Sequence, residues 1–301
     1  MYLHEDKKTF EEVVLKTQQE TGIDSTIIEK DYYVTMMLKR LADCDMGFIF
    51  KGGTSLSKAY KAINRFSEDI DLAVEKKPTR AEGKALFKSI MELGNQIGLR
   101  LINSDEIRTH GNFNRFIFEY DSVVTKNTVV SPKIIIELLV LMRSFPVEYK
   151  IIDSFVGSTL AIHNENAAKQ YGLQPFKMSV QSIKRTFIDK VFALCDYYLD
   201  GKSQRLSRHI YDLYQIMPTL QDIDVELVNK VRKERTNSRV CLSAKDGKDP
   251  SKILSEIVKE NFFKDDYNLI TTKLLYDNVP YEKAIEAINK IIESNLFTPN
   301  H

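Results

Sequence analysis

Two neighbouring stretches decide the fold: KGGTSLSK at residues 51–58 and RFSEDIDL at residues 65–72. The apolar residues 48–50 before the first stretch predict a short buried strand, and its glycine pair predicts a tight turn. A helix is expected from Ser55 to about Asn64, and a second strand from Asp69 to Glu75. The sequence therefore predicts a strand, a glycine turn, a helix and then a strand that carries acidic residues.

The glycine turn has the features of a phosphate cradle. Gly52 and Gly53 lack a Cβ, so their backbone can adopt positive φ and approach a ligand closely. A helix that follows such a turn directs free N–H groups towards an anion. Thr54 and Ser55 offer hydroxyl donors, and Lys58 offers a positive charge one turn into the helix. The stretch does not match the P-loop pattern G-x-x-x-x-G-K-[ST], so we interpret it as a nucleotide-binding turn of another kind.

The acidic residues predict a metal site beside this turn. Asp69 and Asp71 are two apart on the expected strand, so both side chains project from one face and repel each other unless cations lie between them. Glu137 interrupts the apolar run 134–142, which should be a central strand, and a charge there is expensive unless it is paired or binds metal. Carboxylate oxygens suit Mg²⁺ or Mn²⁺. We therefore predict Asp69, Asp71 and Glu137 as ligands of Mg²⁺ (or Mn²⁺) in a phosphoryl-transfer site.

Each of these features has a plainer interpretation when taken alone. A glycine pair is usually only a turn, and an Asp-x-Asp pair is usually a solvated strand face. Glu137 has the alternative of an edge position or an ion pair, and Lys58 that of a surface lysine. The order in which the features follow one another, with a helix between them, is what makes the pattern specific.

Charge and composition narrow the class of protein. Lys and Arg number 43 against 42 for Asp and Glu, which excludes a globally basic nucleic-acid binder but leaves room for a local basic face. The basic residues are most concentrated at Lys230, Arg232, Lys233, Arg235 and Arg239. Three scattered cysteines indicate a reducing compartment, and no stretch has the roughly 20 apolar residues of a membrane span. We expect a cytoplasmic protein without a membrane partner.

The pattern of predicted strands and helices changes near residue 178. Strands and helices alternate before it, whereas most later segments have helical spacing only. We predict an α+β protein in which residues 1–178 form a domain of strands and helices, with its N-terminal helices and the expected phosphoryl-transfer site, and residues 179–301 form a helical domain. The apolar residues that begin the helical pattern are Ile183, Phe187, Val191, Leu194 and Tyr198.

The quoted motifs resemble those of the AbiEii/AbiGii toxin family, nucleotidyltransferases with a DNA polymerase beta-like fold and a mixed sheet. The likeness rests first on residues 51–58 and 65–72. The EKDY stretch at 29–32, RTFIDK at 185–190 and RHIYDL at 208–213 resemble further family motifs in the same order. The resemblance covers about residues 25–215.

The resemblance implies roles for particular residues. Asp69 and Asp71 would bind the metals, and the turn from Gly52 to Ser55 would hold the triphosphate. Lys190 and Asp212 would be essential groups from the helical half, although an intrahelical pair of Asp212 with Arg208 is the plainer alternative. His209 lies in the same motif; a base is one interpretation, and a packed helix histidine is the commoner one.

The resemblance also implies a substrate and partners. A nucleoside triphosphate would be the donor, and a cognate antitoxin protein would neutralise the toxin. Some relatives, the MenT toxins, add nucleotides to the 3′ end of tRNA, which makes tRNA the first candidate for the acceptor. The motifs specify the nucleotide chemistry and leave the acceptor open. The alternatives are transfer to a small molecule or protein, kinase-like phosphoryl transfer, and a non-catalytic nucleotide-binding module.

Overall fold

The computed structural model of the protein describes residues 1–67, 69–108, 113–124 and 130–299. The chain divides into two compact units. The first unit comprises Met1–Ala59 and Glu68–Val180, and the second comprises Tyr60–Ser67 and Gln181–His301. The sequence predicted one boundary, after residue 178, and did not predict that Tyr60–Ser67 belongs to the second unit.

The first unit is built on a mixed sheet with helices before, between and after its strands. Its elements, in chain order, are α1 (Lys7–Thr21), α2 (Ser25–Asp43), β1 (Phe48–Lys51), α3 (Gly52–Lys58), β2 (Ile70–Val74), α4 (Arg80–Gln96), β3 (Arg100–Leu101), β4 (Phe113–Glu119), β5 (Lys133–Leu139), β6 (Val147–Ile152), α5 (Phe155–His163), α6 (Glu165–Gln170) and β7 (Phe176–Gln181).

Within the described residues, the sheet has seven strands in the order β3-β4-β5-β2-β1-β7-β6. β1 runs antiparallel to β2 and parallel to β7, whereas β2 runs parallel to β5, and β5 is antiparallel to β4. The predicted α+β class with a mixed sheet is confirmed.

Alternation along the strands separates a buried face of the sheet from a more open one. Phe116 and Phe118 of β4, and Ile136 and Leu138 of β5, are completely buried. α4 covers this face so closely that a Cβ on Gly94 would overlap the ring of Phe118. Burying each such side chain contributes about 1.5–3 kcal/mol, which fixes the register and turns the intervening residues to the opposite face.

The helix after the glycine turn is shorter than predicted. It begins at Gly52 and ends at Lys58, so the expected helix from Ser55 to Asn64 was wrong at both ends. The following segment is extended because it pairs with a distant part of the second unit: the N–H of Phe66 donates to Leu274, and the N–H of Tyr276 donates to Asn64. These long-range pairs replace helical hydrogen bonds that the local sequence favours.

The second unit is helical, as the sequence predicts. Within the described residues its helices are α7 (Ile183–Leu199), α8 (Arg208–Ile216), α9 (Val225–Thr236), α10 (Pro250–Glu260), α11 (Lys264–Leu269), α12 (Tyr281–Ala284) and α13 (Glu286–Glu293). No helix in the described part of the chain is long and apolar enough to cross a bilayer.

Candidate active site

Four charged residues form a row across neighbouring strands of the first unit. Asp71 of β2 lies opposite Lys51 of β1 on one side and opposite Glu137 of β5 on the other. Arg115 of β4 lies opposite Glu137 in turn. Directly paired residues project from the same face of a sheet, so these side chains lie side by side. Asp69 lies just before β2, and its charge acts on the Glu137 carboxyl.

Gly52 brings the backbone of the turn directly against Asp71. Its φ is +76°, a conformation that residues with a Cβ rarely adopt. A Cβ at this position would lie 2.6 Å from Cγ of Asp71 and would overlap Oδ2. Only glycine therefore leaves space for the carboxylate at this point. The expectation that an acid of the pair lies beside the glycine turn is confirmed for Asp71.

The row carries more negative charge than its cations neutralise locally. Burial raises the pKa of the Glu137 carboxyl above its ordinary value, and the nearby carboxylates of Asp71 and Asp69 raise it further. Arg115, whose Nε lies 3.6 Å from Oε1 of Glu137, and Lys51 act in the opposite direction. A cation bound between the carboxylates would relieve this repulsion.

The donor set fits Mg²⁺ that is shared with a phosphate ligand. In the described part of the chain, no three or more His, Cys, Asp or Glu side chains converge to enclose a metal ion. Mg²⁺ in phosphoryl-transfer sites is usually held by one or two carboxylates, waters and substrate phosphates, and not by an all-protein cage. Asp69 and Asp71 suit that arrangement. The predicted role of Glu137 as a third ligand stays a prediction.

The hydroxyl residues and the lysine after the glycines are already engaged. Ser55 is completely buried, and its hydroxyl donates to the carbonyl of Gly52 at 2.8 Å, which closes the turn. Thr54 is buried as well. Lys58 is buried and forms an ion pair with Asp31 of α2. Its predicted contact with a nucleotide is untested, whereas the contact with Asp31 fixes α3 on α2.

Asp31 is a residue that sequence reasoning did not assign to the site. Besides pairing with Lys58, it accepts a hydrogen bond of 3.1 Å from the N–H of Phe155, which begins α5. Its neighbour Glu29 accepts hydrogen bonds from Ser122 and Val123. The EKDY stretch therefore anchors other segments of the first unit to α2. The feature of the sequence that could have indicated a role for Asp31 is its charge within a helix that is otherwise largely buried.

A buried ion cluster in the second unit joins the two residues predicted from the helical half. Nζ of Lys190 donates to Oδ2 of Asp212 at 2.6 Å, and the guanidinium of Arg65 contacts both Asp212 oxygens, at 2.6 and 2.8 Å. Nδ1 of His209 lies 3.3 Å from Nζ of Lys190. The plainer expectation of an Arg208–Asp212 pair is replaced by Arg65 and Lys190. Sequence reasoning did not assign Arg65, although it stands in the RFSED stretch.

The cluster holds two cations and one anion. Burial alone would raise the pKa of Asp212, but Arg65 and Lys190 hold that pKa far below its usual range, so the carboxylate is ionised. Burial lowers the pKa of Lys190, which shares its single anion with Arg65. Burial beside Lys190 also lowers the pKa of His209, so the imidazole is neutral at pH 7 and can accept from the ammonium. Lys190 is therefore held in one position by two acceptors.

Comparison with known proteins places this geometry in a family. The model of the nucleotidyl transferase AbiEii toxin of type IV toxin–antitoxin systems matches residues 37–290. The chain belongs to the AbiEii toxin family. Nucleotidyl transfer, the activity predicted from the sequence, is the activity of that family, and membership implies a nucleotide substrate and a cognate antitoxin. No curated protein sequence matches the chain significantly.

The fold is also that of a solved nucleotidyltransferase toxin. MenT4, a nucleotidyltransferase toxin from Mycobacterium tuberculosis H37Rv, superposes with a TM-score of 0.54 at 17% sequence identity. The match covers 95% of this chain and 89% of MenT4. At this identity the likeness concerns the fold.

Two arginines of the basic run in this AbiEii family member are turned inward, whereas Lys230, Lys233 and Arg239 are exposed. Arg235 is buried and pairs with Asp189 at 3.1 Å and with Asp196 at 2.7 Å. Arg232 packs on the ring of Phe192 and donates to the carbonyl of Phe297 at 2.6 Å. These two arginines stabilise the second unit and are not available as a face for nucleic-acid phosphates.

Hydrogen bonds anchor the segment between Thr236 and Pro250, which follows the basic run. Ser243 is completely buried, and both its N–H and its hydroxyl donate to Asp196 of α7. Lys245 donates to the carbonyl of Thr236 at 2.5 Å. The buried hydrogen bonds hold the segment in one conformation.

Replacing Gly52 by alanine is expected to lower nucleotidyl transfer by about 100-fold, because the new Cβ displaces the Asp71 carboxylate. The positive φ adds an estimated stability loss of about 1 kcal/mol. Initial rates and urea unfolding measure the two effects. The matched control is Gly47→Ala, since Gly47 also has positive φ but a Cβ there would contact nothing within 4 Å. Equal loss of activity in both variants would contradict the role of Gly52.

Proposed function

We propose that this AbiEii family member transfers a nucleoside monophosphate from a nucleoside triphosphate to a hydroxyl group of an RNA acceptor, with the 3′ end of tRNA as the first candidate. The observation that supports this most is the contact between the turn and the acid pair: the carboxylate of Asp71 lies directly against the backbone of Gly52. A triphosphate seated at the turn would therefore meet carboxylates and any cation they hold. The RNA acceptor is suggested by the resemblance to toxins that act on tRNA.

The residues of the turn would bind the triphosphate through their backbone. Gly52 and Gly53 present N–H groups without side chains in the way, and the hydroxyl of Ser55 keeps the turn closed. Asp69 and Asp71 would hold Mg²⁺ (or Mn²⁺), which supplies positive charge to the phosphate oxygens when bound. The seven residues of α3 are few, so the proposal rests on the glycine backbone and the carboxylates and not on the helix dipole.

Glu137 would serve the acceptor. Its carboxylate lies in the same row as that of Asp71, one strand further from the glycine turn. The acceptor oxygen attacks the α-phosphorus, its proton passes to Glu137, and the bond from the α-phosphorus to the bridging oxygen breaks so that pyrophosphate leaves. Lys190 and Asp212 would be essential groups of the second unit, with Asp212 holding the Lys190 ammonium; this is a prediction from the resemblance.

Labelled triphosphates test the reaction. The protein is incubated with each of the four nucleoside triphosphates and total RNA, with the label at the α-phosphate in one series and at the γ-phosphate in the other. We expect RNA to take up the α-label only, and chelation of divalent ions to abolish the uptake. Uptake of the γ-label would show a kinase-like reaction, and label on protein or on a small molecule would show another acceptor. Absence of any transfer with every triphosphate would contradict the proposal.

A further inference from the structure

The open face of β4 and β5 carries an aromatic and a basic side chain beside the carboxylate row. Phe113 is 48% exposed, and the side chain of Arg115 is 49% exposed. Leu139, which lies opposite Phe113, is half-buried. Single exposed phenylalanines occur on most protein surfaces, so exposure by itself does not indicate a binding site. The position of Phe113 beside the carboxylate row does.

The strand register places Phe113 on the side of the row away from the glycine turn. β1 is antiparallel to β2, so Gly52, just after Lys51, lies level with the start of β2. Phe113 pairs with Leu139, two residues beyond Glu137 towards the end of β5. It is therefore displaced from the row by about 7 Å along the strand, in the opposite direction to Gly52. A ligand on Phe113 does not compete with a triphosphate at the turn.

We infer that this face, formed by Phe113, Arg115 and Leu139, binds the unpaired 3′ end of the RNA acceptor. The inference rests on the proposed function and names the residues that recognise its acceptor. A base stacks on the ring of Phe113, with Leu139 beside it, and the guanidinium of Arg115 contacts a phosphate of the same strand. The terminal hydroxyl then lies near Glu137, which is opposite Arg115.

The chemistry of the face favours this occupant over others. Unpaired nucleotides present alternating aromatic planes and anionic phosphates, and the face presents one aromatic ring and one cation two residues apart on a strand. The apolar part of the face is one exposed phenylalanine and one half-buried leucine, which is too little for a stable protein interface. The terminal nucleotide of an RNA is the group that the proposed reaction requires there, and Arg115 offsets part of the repulsion between the neighbouring carboxylates and its phosphate.

Equilibrium binding of a single-stranded RNA tests the inference without turnover. The probe is an oligonucleotide of about 12 nucleotides with a 5′ fluorophore and a free 3′ hydroxyl, and its dissociation constant is measured by anisotropy. Phe113→Ala is expected to weaken binding about tenfold, and Phe113→Tyr to restore it. Tyr149→Ala is the matched control, because Tyr149 is 66% exposed on β6. Wild-type affinity in Phe113→Ala, or an equal loss in Tyr149→Ala, overturns the inference.

The salt dependence of binding tests the phosphate contact. Arg115→Gln is expected to reduce the slope of log affinity against log salt by about 0.7, the value for one phosphate contact to a single strand. If Arg115 only pairs with Glu137, the slope stays unchanged in Arg115→Gln. That result would overturn the assignment of Arg115 as a phosphate contact. Arg80→Gln, an exposed arginine at the start of α4, is the control and should keep the slope.

Two further arms separate this inference from the proposed function. Binding of the triphosphate alone should be equal in wild type and Phe113→Ala; equal weakening of triphosphate and RNA would overturn the acceptor role. Tighter binding of the corresponding DNA oligonucleotide would also overturn it. If RNA binding depends on Phe113 but no label is transferred, the acceptor face is supported and the proposed reaction is contradicted. If label is transferred to RNA equally well in Phe113→Ala, the proposed reaction is supported and the acceptor face is contradicted.

Discussion

Asp71→Asn is expected to lower the rate of nucleotidyl transfer on the order of 10³-fold while the protein stays folded. The substitution keeps the size of the side chain, so the close fit against Gly52 is preserved. It removes one of two negative charges that would hold a divalent cation against the triphosphate. It also removes a like charge from the neighbourhood of Glu137, so thermal unfolding should occur at an equal or slightly higher temperature.

Initial rates at saturating triphosphate and thermal unfolding with and without Mg²⁺ measure both effects. Asp121→Asn is the matched control, because Asp121 belongs to the same unit and its side chain is 88% exposed. The control should keep wild-type activity. An Asp71→Asn variant that retains more than about a tenth of the wild-type rate would remove Asp71 from the proposed mechanism, because loss of a charge at the reacting centre has a larger effect.

The part of the fold that the sequence predicted best is the part determined locally. The apolar residues 48–50 formed the predicted strand, and periodic apolar residues predicted the helices of the second unit. The glycine pair was predicted as a turn before the helix, but it forms the first residues of α3, with Gly52 at positive φ. The error after Lys58 has a long-range cause. Lys61 adopts a φ of +52°, and the segment up to Phe66 pairs with residues 274–276. No feature of residues 59–64 predicts that this segment pairs with residues 274–276.

The candidate site shows the same division. The contact of Asp71 with the glycine turn was predictable because both belong to one local strand–turn–helix–strand segment. Glu137 was predictable as a charge within an apolar run, and it does lie beside Asp71. The partners of Lys58 and Asp212 were not predictable, because Asp31 and Arg65 reach them from distant segments. Ion pairs between residues far apart in the sequence can be identified only once the fold is known.

Asp212→Asn is expected to reduce the free energy of unfolding by about 3–5 kcal/mol, since it leaves Arg65 and Lys190 buried without their anion. Asp212 itself is completely buried, so water cannot replace the lost charge. Urea unfolding measures the loss. Asp222→Asn, in the exposed loop before α9, is the control and should be close to neutral.

The pH dependence and a double substitution establish whether the Asp212 effect is electrostatic. The folded-state pKa of Asp212 is lowered, so its contribution is complete above the unfolded-state pKa of about 4 and is lost only as the pH falls towards the folded-state value. The difference between wild type and Asp212→Asn should therefore stay constant from about pH 5 to pH 7. Adding Lys190→Met to Asp212→Asn removes one of the two orphaned cations, so the double variant should be more stable than Asp212→Asn alone. If the two losses simply add, Asp212 stabilises the protein through packing, and Lys190 is not held in place by its charge.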